Sequence, residues 1–263
     1  MNARKRFCET DRGDIFYWTL GSGPPVLLLH QATQSSAEFK GIAPLLAERH
    51  QVIAFDYLGH GFSDSADHEL SVPEFCEGAI AVLDATGVQQ ASVVGHHSGG
   101  ILGIQLAVDH PERVSKLVTS GLGIHTEEIV QAFFDTPMTR DLPVDADGEF
   151  LKKTWDVYRR MASPGVSPEK SFEFFIVGLT ARTRPYDAHY EFMRWDRDAA
   201  MRQVRQPTLM ICGEHDDYVE DPELLTKLVN DSRYISVPGG GAFLFYERPE
   251  ACAELLMEFF GQR

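Results

Sequence analysis

The stretch Gly95-His96-His97-Ser98-Gly99 concentrates the groups with the most chemical potential in this chain. It follows Ala91-Ser92-Val93-Val94, which reads as a strand, and it opens a segment from Ser98 to about Val108 that reads as a helix. A strand turning sharply into a helix needs glycine where side chains would collide, and it lifts its central residue above the sheet. The pattern is G-x-S-x-G, the nucleophile elbow. Here the central residue is His97 in place of serine. A frame centred on Ser98 would put His96 and Gly100 on the glycine positions, and a Cβ at His96 fits poorly in so close a turn. An imidazole at the apex, with an ordinary pKa of about 6.5, suits a general base that activates water or removes a substrate proton. The Ser98 N–H, at a helix start, favours an anion beside it. His97 with His30 or His96 and a carboxylate also has the chemistry of a metal ligand set, yet no spacing in the chain matches a metal motif. Cys8, Cys76, Cys212 and Cys252 are scattered without a CxxC, so they read as reduced, mostly buried residues. Neither a metal nor a cofactor is expected.

The elements that must position these groups alternate between strand and helix, which predicts a mostly parallel sheet with helices on both faces. Arg6 to Glu9 and Ile15 to Leu20 read as an opening hairpin, and Pro25-Val26-Leu27-Leu28-Leu29 as a central strand buried on both faces. Ser35-Ser36-Ala37-Glu38 has the spacing of a capping box and predicts a helix running to about Glu48 before a strand over Gln51 to Phe55. Ser71-Val72-Pro73-Glu74 repeats that start signal. Strands follow at Ala91 to Gly95, Lys116 to Thr119 and Thr208 to Gly213, with helices after Asp221-Pro222 and from about Pro249. Between about Gly123 and Asp198 the alternation stops. That stretch holds Phe133, Phe134, Trp155, Tyr158, Phe172, Phe174, Phe175, Tyr186, Tyr190, Phe192 and Trp195, which either line a pocket or form a small core of their own.

The order of elements and several local signatures resemble the α/β-hydrolase superfamily over essentially the whole chain. The segment from Asp56 to Asp64, with Gly59-His60-Gly61-Phe62-Ser63, is similar to a loop of that family and reads as structural. The resemblance implies an eight-stranded, mostly parallel sheet with a helical cap insertion: residues 1–122 and 199–263 form the core, and 123–198 the cap. It places Asp216, in Cys212-Gly213-Glu214-His215-Asp216-Asp217, on the acid position, with His215 and Asp217 as loop residues. The catalytic-histidine position, in Val237-Pro238-Gly239-Gly240-Gly241-Ala242-Phe243-Leu244, holds Ala242, and no histidine follows His215. Where the family usually has His-Gly for the oxyanion hole, this chain has His30-Gln31-Ala32, so the Ser98 and Ala32 amides and the Gln31 side chain are the expected donors, with His30 beside them.

With serine and histidine both replaced, a serine acyl-enzyme is not expected. Oxyanion hole and binding alone leave roughly a 10³–10⁴-fold advantage over water, about 4–5.5 kcal/mol. The replacements suggest compensation: the larger residue at 97 takes room left at 242 and leans toward Asp216, giving a His97–Asp216 dyad, direct or through water. Such a dyad suits direct hydrolysis of an ester, lactone or other small apolar or aromatic carbonyl compound, or proton abstraction as in a lyase or isomerase. The competing class is a non-catalytic ligand binder on the same fold. Bulk composition narrows the partners. The chain has 263 residues and a formal charge of −15 from 39 acidic and 24 basic residues, which repels nucleic acid and anionic membranes. No apolar run approaches the about 20 residues that span a bilayer, and no export signal is read at the start, so a cytoplasmic protein acting on a small molecule is expected, with a homodimer allowed.

Overall fold

The computed structural model describes residues 2–123, 127–135, 142–181, 188–218 and 222–261. The strands are β1 (Arg4–Thr10), β2 (Gly13–Gly21), β3 (Pro25–Leu29), β4 (Gln51–Phe55), β5 (Ala91–His96), β6 (Val114–Ser120), β7 (Thr208–Gly213) and β8 (Ser232–Val237). They form one eight-stranded sheet in the order β1-β2-β4-β3-β5-β6-β7-β8. β1 with β2 and β2 with β4 are antiparallel, and every other pairing is parallel. The helices in chain order are α1 (Ala43–Leu46), α2 (Val72–Ala85), α3 (Ser98–Asp109), α4 (Glu127–Asp135), α5 (Glu149–Met161), α6 (Pro168–Ala181), α7 (Ala188–Arg194), α8 (Arg197–Met201), α9 (Pro222–Leu228), α10 (Leu244–Glu247) and α11 (Pro249–Gly261). Among the described residues no helix is long and apolar enough to cross a membrane.

Side-chain alternation along the central strands feeds two cores. Leu27 and Leu29 of β3 join Val93 of β5 and Leu102 of α3 on one face, while Val26, Leu28 and Val94 join Leu244, Phe245 and Leu256 on the other. A strand apolar at every position is therefore clamped from both sides, and its carboxyl end is a rigid platform for the loop that follows it. β8 was not marked in the sequence, because Ser232-Arg-Tyr-Ile-Ser-Val is only half-buried at the sheet edge and lacks a continuous apolar run.

The Ser71 capping box forms as expected: the Glu74 side chain accepts the Ser71 backbone N–H at 2.9 Å. The expected box at Ser35–Glu38 does not form. Ser35 accepts the Ala37 N–H at 3.3 Å, but Glu38 turns inward, and the long helix expected here is a 3₁₀ turn (Ser36–Lys40) followed by the four-residue α1. A buried partner for the carboxylate outcompeted the local cap, whose net worth is typically ~1 kcal/mol.

Candidate active site

The backbone at the carboxyl end of β5 bends as an elbow. His97 has φ 48° and ψ −114°, and it is the one residue other than glycine with positive φ among the described residues. A Cβ on Gly95 would lie 2.0 Å from the Gly99 carbonyl oxygen, and one on Gly99 would lie 2.1 Å from the Leu29 carbonyl oxygen. The bend therefore centres on His97 and not on Ser98, which is the first residue of α3. Strain of this kind, of order 1–3 kcal/mol, persists where the surroundings over-determine it, and here the His97 N–H also donates to the Ser120 carbonyl at 2.7 Å.

From that bend the imidazole meets a carboxylate. His97 Nε2 donates to Asp216 Oδ2 at 2.9 Å; the His97 side chain is 10% exposed and that of Asp216 is fully buried. The other Asp216 oxygen accepts the Tyr218 N–H at 3.0 Å, so the carboxylate is fixed on both atoms. Because Nε2 faces Asp216, the lone pair of the neutral ring falls on Nδ1. Burial alone would lower the His97 pKa, but Asp216, reinforced by Glu38, more than offsets it, and the imidazole sits above its ordinary value. Burial pushes Asp216 up, while His97 and the Tyr218 amide pull it below the usual carboxylate range. The pair thus favours its ionised form. Gly121, with φ +61°, makes room for it: a Cβ there would lie 2.4 Å from His97 Cδ2 and 2.8 Å from Asp216 Oδ2. The Tyr218 ring stands edge-on to His97 with centroids 5.0 Å apart.

Behind His97 lies a second histidine–carboxylate pair that the sequence did not disclose. Glu38 and His96 are both completely buried, and His96 Nδ1 bonds Glu38 Oε1. Gln31 donates to the same carboxylate twice, from its backbone N–H and from its side-chain amide, each at 3.1 Å. The amide also reaches the Ala242 carbonyl at 3.4 Å. The one sequence signal for Glu38, its capping spacing, pointed elsewhere.

The remaining expected site residues divide. Gln31, Ala32, His97 and Ser98 line a cavity of about 50 Å³ together with Ile101, Gly121, Leu122, Phe192, Met193 and Tyr218. Ser98 Oγ is buried there without a hydrogen-bond partner among the described residues. Gln31 supplies wall but not the free amide expected of it, because its side-chain nitrogen is shared between Glu38 and the Ala242 carbonyl. His30 is a correction: it is fully buried away from the cavity wall, stacked on Tyr57 at 3.8 Å, with Nδ1 bonded to the Gln31 carbonyl at 2.8 Å and Nε2 accepting the Tyr57 N–H. His60 bonds the Ala32 carbonyl, and Asp56 accepts the Ser36 and Phe62 amides, so the Asp56–Asp64 loop braces this wall. His215 and Asp217 are exposed loop residues.

Ala242 does not open a space for His97. It is fully buried in an aromatic cluster of Tyr158, Phe174, Phe175, Phe243 and Tyr246, in which Phe174 stacks on Phe243 at 3.9 Å. Tyr158, Phe174 and Phe175 of the 123–198 stretch are accounted for in this way. Trp155 joins that cluster, Phe172 is exposed, Phe134 lies under Arg194, Trp195 bonds Gln105, and only Phe192 lines the cavity among those whose side chains are described. Tyr186 and the side chains of Phe133 and Tyr190 lie outside the described residues. A metal would find one donor group among the described residues: His96, His97 and Asp216 present ligand atoms within 4.8 Å of one another, although His97 Nε2 and His96 Nδ1 are already committed to carboxylates.

The chain is similar over most of its length to known hydrolases. It is 27% identical to the putative carbamate hydrolase RutD of Azorhizobium caulinodans, across 95% of this chain and 96% of that protein. It is 25% identical to the 2-hydroxy-6-oxo-6-(2'-aminophenyl)hexa-2,4-dienoic acid hydrolase of Metapseudomonas resinovorans, across 98% and 91%. Its fold matches that of the bromoperoxidase from Bacillus anthracis with a TM-score of 0.83 at 19% identity, covering 98% and 100% of the two chains. The family model for the α/β hydrolase fold matches residues 24–249, and the chain belongs to that family.

Proposed function

We propose that this protein is a hydrolase of small carbonyl compounds, an ester, lactone or related apolar or aromatic substrate, in which His97 acts as general base on water and no serine acyl-enzyme forms. The observation that carries the reading is the His97–Asp216 hydrogen bond of 2.9 Å at the wall of a cavity. Asp216 receives Nε2–H, fixes the tautomer and steadies the imidazolium that forms when Nδ1 takes a proton from water. The Ser98 amide at the start of α3 and the Ala32 amide after β3 are the donors for the developing oxyanion. A cavity of about 50 Å³ has room for the attacking water. The relatives named as carbamate and dienoic acid hydrolases support hydrolysis at a carbonyl as the reaction class. Residues 123–198 serve as the cap, with Phe192 and Met193 as the side chains it gives to the cavity.

The test is a panel of aryl esters, lactones, carbamates and vinylogous diketones offered to the wild type and to His97→Ala, with and without a chelator. General-base catalysis contributes roughly 10²–10⁴-fold, so His97→Ala is expected to lose at least about 100-fold in kcat on any substrate the wild type turns over, while the chelator changes nothing. Equal rates in the two proteins would remove His97 from the mechanism. Ligand capture without turnover would favour a binding protein instead.

A further inference from the structure

We propose that Glu38 is the positioning residue of this site: a buried carboxylate that holds His96 against the back of the His97 ring and ties down the loop carrying the Ala32 amide. The proposal rests on the reading of His97 as base and extends it to a residue that never meets substrate.

Three donors converge on Glu38, namely the Gln31 N–H, the Gln31 side-chain amide and His96 Nδ1. Three donors suit the ionised carboxylate, which offers acceptors only. The His96 ring meets Phe245 at 5.0 Å with the planes near perpendicular, and the His97 ring at 4.4 Å between centroids. Fixed on Nδ1 and in contact with the Phe245 and His97 rings, His96 is a backstop for His97. The same carboxylate fixes the loop after β3: Gln31 is bound at backbone and side chain, and the next residue, Ala32, lines the cavity. The residues at which this chain departs from the family pattern are therefore one connected unit. Gln31 touches Glu38 and the Ala242 carbonyl, and His97 packs on the His96 that Glu38 holds. Among the described residues, four titratable groups stand about His97: Asp216 and Tyr218 from the loop after β7, His96 from β5, and Glu38 from the 3₁₀ turn. Of these, Asp216 and Glu38 favour the protonated imidazole.

The experiment compares wild type with Glu38→Gln and Glu38→Asp. It uses hydrolysis of p-nitrophenyl acetate and, separately, the NMR titration of the His97 ring, assigned against His97→Gln. Glu38→Gln keeps size and removes charge, so the His97 midpoint is expected to move to lower pH, the kcat/KM profile to follow it, and kcat to fall about ten-fold with KM within about two-fold. Glu38→Asp keeps the charge but draws it back by one methylene, and is expected to shift both readouts less; it also serves if Glu38→Gln does not fold. A folded variant whose His97 midpoint equals that of the wild type overturns the proposal. The titration needs no turnover, so an inactive wild type would defeat the base reading alone and leave the link from Glu38 to His97 separately decided.

Discussion

His96 and His97 are neighbours in the chain, each bonded through one ring nitrogen to a carboxylate, yet one pair is sealed in the core and the other borders a cavity. The difference arises in one residue of backbone. His96 is the last residue of β5 and keeps the inward direction that strand alternation gives it, whereas His97 takes a positive φ and is turned out of the sheet. In the buried pair Glu38 takes His96 Nδ1, with Gln31 as an additional donor, while His96 Nε2 has no hydrogen-bond partner among the described residues. A pair at a cavity wall can spend one nitrogen on its carboxylate and keep the other for chemistry. Residue type alone does not separate a support from a base.

The comparison breaks most sharply if the two carboxylates are exchanged in importance. Asp216→Ala is expected to cost at least about 100-fold in kcat, because the Nε2–H loses its acceptor and the ring its fixed tautomer. Glu38→Gln is expected to cost about a tenth of that. Side-by-side kinetics on one substrate decide the order, and a larger loss at Glu38 would make the sealed pair the reactive one.

Two substitutions address the space around the pairs. Gly121→Ala would place a Cβ against both His97 and Asp216 at a residue with φ +61°, and is expected to cost ~1–3 kcal/mol in a denaturant titration and to weaken turnover by prising the pair apart. Ala242→His puts back the family's residue. The position is closed in by Tyr158, Phe174, Phe243 and Tyr246, so overpacking of ~1–3 kcal/mol is expected, with no gain in rate. A gain in rate would show that the old catalytic position is still usable.

What could be read from sequence follows the same division between local and convergent information. The sheet, the elbow frame and the Ser71 cap are written in runs of neighbouring residues: the apolar Pro25–Leu29, the glycines at 95 and 99, and Ser71 with Glu74 three residues later. Asp216 was placed through its loop pattern. Glu38 could not be read, since its partners Gln31 and His96 come from other segments and its spacing from Ser35 imitates a cap. Gly121 was missed because the need for glycine there comes from His97 and Asp216, on other elements. The cap aromatics could not be divided from composition, which allowed a pocket lining or a core of their own: Tyr158 and Phe174 stack against Phe243 and Tyr246 as core, while Phe192 lines the cavity.

The smallest expected effect is a pH dependence that separates the support of the fold by the exposed pair from its use in catalysis. Burial opposes the charge on His97, and Asp216 with Glu38 overcomes it, so the folded imidazole lies above its ordinary 6.5; burial opposes the charge on Asp216, and His97 overcomes that, so the folded carboxyl lies below its ordinary 3.8. The His97 contribution to stability is therefore complete below 6.5 and is lost as pH rises through the raised folded value, while that of Asp216 is present above 3.8 and is lost as pH falls through the lowered one. The pair supports the fold best between those two ordinary values. Urea midpoints of wild type and Asp216→Asn are expected to differ most near pH 5 and to converge toward pH 9; an equal gap at both would mean that the two groups do not ionise as a pair. Catalysis by the unprotonated ring runs the other way, so kcat/KM is expected to climb with pH through a midpoint above 6.5 as the stabilisation fades.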